Sequence, residues 1–414
     1  MVDVVHARCA GIDISKRDAK VCVRVQGSGP RRTSEEVTTW GSMTRDVLEL
    51  AQYLVAQKVT CVVMEATGMY WKQFYYLLEP LAEQGVDVML VNARAAKNLP
   101  GRKTDVKDAV WLADLAAHGL LNASFVPPAP IRALRDLTRT RTTLTRDLSR
   151  EISRLEDTLE DTGIKLSAVI SDLNGVSGRR MLRALVDGER DPQVLADLGD
   201  RRLKASKQQL VDALTGRFTD HHAFMVGLHA ERIEDITSMI ARLDERIEEA
   251  MSPFRERAAL LMTVPGVSTR AAQVIIAETG GDMSVFATPG HLVSWAGAAP
   301  GHHQSAGRSR SVRTRPGNNY LRGALGTTVM SISGSRTTRL AARYRRIAAR
   351  RGPLRANVAV QNTILTTVWH MLTNNEPYTD LGPDFYTNRA RDRNIKKAIR
   401  TLEADGYTVI PAAA

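Results

Sequence analysis

Cysteine is scarce in this chain of 414 residues. There are three, Cys9, Cys22 and Cys61, and no two stand at the CxxC spacing of a zinc site. So few thiols fit a reduced interior, and Cys22 and Cys61 fall inside apolar runs where a thiol acts as a small buried hydrophobe. Long apolar runs are absent as well. None approaches the roughly 20 residues of a membrane span, and the N-terminus lacks a signal-peptide pattern. The sequence therefore predicts a cytoplasmic protein with no membrane partner. A third absence is local: between Ser305 and Arg355 there is no Asp, Glu or Lys, yet there are thirteen arginines. The net charge is +12 and the pI about 9.8, so the rest of the chain carries about −1 and the positive excess lies in this stretch. Arginine at that density suits bidentate contact with phosphate and base edges. It points to a polyanionic partner.

Four acidic residues are the strongest chemical signal. Asp13 in GIDISK and Glu65 in VVMEATG each close an apolar, β-branched run, where a strand would finish. Asp105 and Asp108 in TDVKDAV are three apart and share a face if that segment is helical. Four carboxylates gathered at one sheet edge would repel one another without a cation among them. Hard oxygen ligands favour Mg²⁺, with Mn²⁺ as the substitute, and paired ions of this kind cut phosphodiester bonds.

The length allows about three domains of roughly 150 residues. Residues 5–14, 18–26 and 32–40 read as strands, with Gly27, Gly29 and Pro30 turning between the last two. A helix is expected over Thr44–Gln57, a buried strand over Thr60–Glu65, a helix over Tyr70–Gln84, a strand over Val86–Asn92 and a helix over Thr104–His118. The order βββαβαβα is that of a ribonuclease-H-like domain, in which strand ends and the last helix converge on one site. An actin-like kinase reading of GIDISK needs a second Gly-rich nucleotide motif, which is not at the right place.

Pro127, Pro128 and Pro130 mark a boundary. Beyond it Leu137, Leu144, Leu148, Ile152, Leu155, Leu159 and Leu166 form one heptad-like stripe, and Ile233, Ile236, Ile240, Leu243, Ile247 and Met251 another. They predict two long helices, paired antiparallel or between chains, as a protruding dimerisation arm that Pro253 ends. LMTVPGVSTRAAQVIIAE (Leu261–Glu278) has the pattern of a helix-hairpin-helix, although Ser268 replaces its usual second glycine. The free amides that open its second helix can hold a phosphate. Phe286–Leu325 is turn-rich and basic, with helix resuming at Asn318, which is expected to cap it. Another apolar helix covers Asn357–Leu372, and a polar helix with a loose tail begins at Asn388. The expected division is 1–126 for the carboxylate domain, 127–253 for the arm and linker, 254–380 for a mainly helical domain, and 381–414 for the last helix and tail.

Taken in order, GIDISK, MEATGMYW, KTDVKDA, VPGV, HLVSWAGAAPGHHQSAGRSR and GNNYLRGAL resemble the DEDD transposases of the insertion-sequence "one-ten" family, relatives of the Piv-type DNA invertases. The likeness runs from about Gly11 to about Tyr378. It implies a RuvC-like domain whose metal-binding tetrad is Asp13, Glu65, Asp105 and Asp108, and a C-terminal transposase domain whose Ser305 attacks DNA. It also implies guidance by a structured noncoding bridge RNA, action on double-stranded donor and target DNA, and a homo-oligomer, dimer or tetramer, in the bacterial cytoplasm at the nucleoid. In such oligomers the RuvC-like site of one protomer meets the serine of another.

A serine hydroxyl needs activation to attack phosphate. Arg308, Arg310 and Arg313 could stabilise charge on phosphorus but cannot take the proton; His302 and His303 are candidates by proximity. Arg315 and Arg322 complete the expected nucleic-acid contacts. Ser309 and Ser311 share the basic loop, so Ser305 is distinguished by the resemblance alone. Three readings follow: a serine-using, Mg²⁺-dependent DNA recombinase; a RuvC-like structure-specific endonuclease without a covalent step; and a nonenzymatic nucleic-acid-binding protein. The second leaves the serine-bearing domain unused, and the third does not need four intact carboxylates.

Overall fold

The computed structural model describes residues 4–27, 32–66, 68–92, 108–301, 304–305, 308–309, 314, 316–406 and 408, with backbone alone at 304, 305, 308 and 309. Two compact units meet in sequence at Val126 and Pro127.

The first unit is a five-stranded mixed sheet. β1 (Arg8–Ile14), β2 (Asp18–Val25) and β3 (Ser34–Gly41) form an antiparallel meander, and β4 (Cys61–Glu65) and β5 (Asp87–Val91) run parallel to β1. The strand order is β3-β2-β1-β4-β5. Every residue of β4 is buried, as its unbroken apolar run requires for a strand covered on both faces, whereas β3 is a largely exposed edge. Helices α1 (Thr44–Ala56) and α2 (Trp71–Leu78) cover the face that carries Ala10, Ile12, Val62 and Met64. Helix α3 (Asp108–Ala117) covers the face that carries Cys9, Cys22, Cys61 and Val63. All three thiols are buried there, and that burial pushes Cys9 up to about 11 and Cys22 and Cys61 up to about 12. The helix expected over Tyr70–Gln84 is shorter, because Pro80 lacks a backbone N–H and the chain tightens to a 3₁₀ turn over Glu79–Gln84. Residues 104–107 of the last expected helix lie outside the described residues.

The second unit is almost wholly helical. α4 (Ala129–Thr162) and α9 (Asp220–Ala250) are the long helices, of 34 and 31 residues. They pair antiparallel within one chain: Arg141 meets Asp244 near one end, and Glu151 meets His229 further along. Between them in sequence, α5 (Leu166–Val169), α6 (Val176–Val186), α7 (Pro192–Asp197) and α8 (Lys207–Leu214) close a small core around Leu155, Leu159, Met181, Leu195 and Val226. The seam departs from the leucine stripe. Leu137, Leu144, Leu148 and Ile152 are only half-buried, while Thr138, Arg141 and Glu151 are buried: Arg141 and Glu151 find their partners on α9, and the Thr138 hydroxyl donates to the Arg135 carbonyl of its own helix. Pro253 follows α9 in a 3₁₀ turn, as expected.

The remaining helices are α10 (Arg255–Met262), α11 (Thr269–Thr279), α12 (Pro289–Trp295), α13 (Asn319–Ser333), α14 (Arg339–Arg351), α15 (Pro353–Asn374) and α16 (Phe385–Ala404). α11 is buried from Ala271 to Thr279, and α15 buries Val360, Ile364, Leu365 and Val368. Gly266, in the Pro-Gly turn before α11, has φ +82, and an added Cβ would lie 2.3 Å from Ile332 Cγ2, so the turn seats on α13. α16 begins three residues before its expected start and buries nothing.

Candidate active site

β1 and β4 are neighbours in register, with Cys9 beside Cys61, Ala10 beside Val62, Gly11 beside Val63 and Ile12 beside Met64. Asp13 and Glu65 therefore occupy the next rung, with their strands about 4.8 Å apart. Strand alternation puts both on the face of Cys9, Val63 and Cys61, the face α3 covers. Asp13 is half-buried and Glu65 buried. Lys20 stands across from Asp13 on β2, a neighbour the sequence reading did not single out.

α3 is delivered to this corner by a glycine. A Cβ on Gly11 would lie 2.2 Å from the Ala109 carbonyl oxygen and 2.5 Å from the Ala113 nitrogen, so only the bare backbone lets the helix approach. Cys9 Sγ donates to the Ala113 carbonyl at 3.1 Å, and the amides of Val5 and His6 donate to the Ala117 carbonyl at 2.8 and 3.1 Å. Moving back along β1 thus means moving forward along α3. The helix runs antiparallel to the strand, and its first residue, Asp108, lies at the end where Asp13 lies. A carboxylate in a first helical turn is also favoured by the helix dipole. Asp105 lies outside the described residues. Among the described residues no group of three or more His, Cys, Asp or Glu side chains is arranged to hold a metal ion. Asp13 and Glu65, neighbours on this rung, offer hard carboxylate oxygens, a donor type that fits a hard divalent cation rather than zinc or copper.

Ser305 lies in the second unit. It ends β6 (Gln304–Ser305) and pairs with Arg308 of β7 (Arg308–Ser309), while Gln304 pairs with Ser309; Pro300 and Thr314 make a further antiparallel bridge. The turn-rich segment is thus a hairpin, which its composition did not disclose. His302, His303, Arg310, Ser311, Arg313 and Arg315 lie outside the described residues. Arg322 is half-buried in the first turn of α13.

The far end of the hairpin is tied down firmly. A Cβ on Gly317 would fall 2.4 Å from both the Ala296 carbonyl oxygen and the Gly297 nitrogen. The Asn318 side chain accepts from the amides of Tyr320 and Leu321, as expected of a cap, and its Nδ2 donates to Glu278 Oε2 at 2.6 Å. Glu278 is fully buried, and Arg139 grips it with two bonds, Nε to Oε1 at 2.8 Å and Nη2 to Oε2 at 2.7 Å. This hydrogen bonding holds the Arg139 guanidinium above its usual range despite partial burial. Arg135 donates to the backbone carbonyls of Ala277 and Glu278 at 3.0 and 2.7 Å. Sequence reading missed this cluster; Glu278 closes an apolar helix and looks like any surface acid there.

Five strands in the order β3-β2-β1-β4-β5, with acids where the central strands end, define a ribonuclease-H-like domain. A DEDD transposase family model, described as "Transposase", matches residues 10–164, and one described as "Transposase IS116/IS110/IS902 family" matches residues 258–345. Together they span more than half of the chain, which belongs to the IS110 family of transposases. The "Insertion element IS900 uncharacterized 42 kDa protein" of Mycobacterium paratuberculosis is 25% identical over 404 residues, covering 89% of this chain and 96% of that one. The Sinorhizobium fredii protein y4pF/y4sB is 26% identical over 37% of this chain. The "Pilin gene-inverting protein" of Moraxella bovis is 27% identical over 36% of it. The chain spans less than half the length of these last two, 41% and 48%. A Thermus thermophilus RuvC structure aligns at 13% identity and a TM-score of 0.23, over 28% of this chain and 99% of that one.

Proposed function

We propose that the protein is a DNA transposase or recombinase that cuts and rejoins strands through a covalent serine intermediate. Asp13, Glu65, Asp105 and Asp108 would hold Mg²⁺ or Mn²⁺, and when bound the metal would polarise the scissile phosphate. The observation that carries the reading is the shared corner of the sheet: Asp13 and Glu65 on one rung, with the start of α3 brought to the same end by Gly11. In the second unit the Ser305 oxygen forms a bond to phosphorus as one DNA phosphodiester bond breaks. Bond energy is conserved in the phosphoserine link, so rejoining needs no ATP. Arg308, Arg310, Arg313, Arg315 and Arg322 neutralise phosphates around that serine. Residues 1–126 serve as the RuvC-like domain, 127–253 as the coiled-coil arm that joins protomers, 254–380 as the serine-bearing domain and 381–414 as an appended helix and tail. α10 and α11, around Pro265 and Gly266, serve as the helix-hairpin-helix; with α11 sunk in the core, only its N-terminal amides are open to a phosphate. Family resemblance adds a guide RNA, donor and target duplexes, a homo-oligomer and a place at the bacterial nucleoid.

Incubation of the full chain with Mg²⁺ and a duplex carrying its element's ends tests the reading. A protein–DNA adduct stable to denaturant is expected. Ser305→Ala should lose it while Ser309→Ala and Ser311→Ala keep it. Asp13→Ala or Glu65→Ala should abolish cleavage and leave binding intact. Free ends at undiminished rate in Ser305→Ala would reduce the protein to a RuvC-like endonuclease, and cleavage that survives EDTA would remove the metal.

A further inference from the structure

The C-terminal helix α16 lies beyond both family matches, which end at residues 164 and 345, and its behaviour is unusual. It runs for 20 residues without a buried side chain, so apolar burial does not hold it. Its first turn is clasped by arginines of α14 instead: Arg339 lies 5.4 Å from the Phe385 ring, and Arg343 and Arg346 lie 5.9 and 5.4 Å from the Tyr386 ring. A groove of about 810 Å³ opens between the two helices.

The groove walls carry seven cations and one carboxylate, Asp392. Arg343 and Arg346 come from α14. Arg389, Arg393, Lys396, Lys397 and Arg400 come from α16 at steps of four, three, one and three, which places them along one helix face. None of the seven is ion-paired among the described residues, and Arg343 Nε is shielded from solvent without an acceptor. Two helices of like charge facing each other across a groove are held against their own repulsion. A polyanion lying between them removes that penalty.

We propose that the groove between α14 and α16 grips the phosphate backbone of duplex DNA without reading its sequence. The choice of DNA rests on the proposed function; the site itself is separate from the serine hairpin. From Arg389 to Arg400 the basic face extends about 16 Å at 1.5 Å per residue, enough to track about five phosphates of one strand at 3.4 Å each. Arginine and lysine on a helix face supply charge and reach without a fixed base-reading geometry.

The test is salt-dependent binding of the full chain to a 30-base-pair duplex of arbitrary sequence, read by fluorescence anisotropy. Arg389→Gln, Arg393→Gln, Lys396→Gln and Arg400→Gln together should lower the slope of log affinity against log salt by about 3 to 4, if each neutralises one phosphate. Between 50 and 200 mM salt the native protein should then lose about 100-fold more affinity than the variant. Arg389→Lys, Arg393→Lys and Arg400→Lys together keep the charge and should keep the slope. Circular dichroism checks that α16 stays helical, and nothing in the core depends on these side chains. An unchanged slope in the glutamine variant overturns the proposal. So does a slope that flattens for an RNA hairpin and not for the duplex. The adduct assay is independent: a protein that forms the adduct with an unaltered groove slope loses this inference alone, and one that shows the groove effect with no adduct loses the recombinase reading alone.

Discussion

Glu278→Ala should be among the most damaging single substitutions in the second unit. Glu278 has no exposed surface, and its carboxylate takes two bonds from Arg139 and one from Asn318, with Arg135 Nε 3.4 Å away. Removing one member of a buried ion pair costs about 3–5 kcal/mol, because the cation left behind is desolvated and unpaired. Here the loss is moderated. Arg139 is 36% exposed and can turn to water, while Arg135 keeps its two carbonyl acceptors. About 3 kcal/mol is the expected result, which for a unit of this size lowers Tm by roughly 5 °C. Thermal unfolding followed by circular dichroism reads the loss. A double-mutant cycle with Arg139→Ala should return a coupling of about 1.5 kcal/mol or more. A Glu278→Ala protein within about 0.5 kcal/mol of the native one, or a coupling near zero, would refute the claim that this carboxylate fastens α4 to the base of the serine hairpin.

Gly11→Ala should cost about 3 kcal/mol and remove strand cleavage, since its Cβ would strike the α3 backbone and push Asp108 away from Asp13. Native-like melting with full cleavage would show that the approach of α3 is not needed. Glu151 supplies a pH test in the arm. Burial raises its pKa, but hydrogen bonds from His229 and Arg154 and the charge of Arg232 outweigh that and leave it below the usual value. A depressed carboxylate contributes stability above its unfolded pKa of about 4.3, and that contribution disappears as pH falls through the folded value. The stability gap between native protein and Glu151→Gln, measured by urea titration, should not shrink from pH 7 to 5, where any protonation of His229 only strengthens the pair, and should fall below about pH 4. A gap as large at pH 3 as at pH 7 would contradict the assignment.

Much of the first unit was legible because its signals are local. Apolar runs ending in Asp13 and Glu65 announced two strands and placed their acids at the strand ends, and side-chain alternation then fixed a common face. The long helices were also announced by periodicity, as was the stop at Pro253. Identity misled at the seam, where Leu137 and Leu144 are half-exposed and Thr138, Arg141 and Glu151 are buried. Sequence by itself determined which residues could be strand, helix or ligand, because period and side-chain chemistry are properties of short segments. Tertiary structure decided which polar groups were desolvated and which charges came to share a space. Glu278 becomes a buried hub only because Arg139, 139 residues earlier, folds onto it. Gly11 matters only because α3, about a hundred residues later, crosses it. The basic face of α16 becomes one wall of a groove only because α14 is opposite. Burial and the electrostatics that follow from it depend on partners distant in sequence, and no local pattern encodes them.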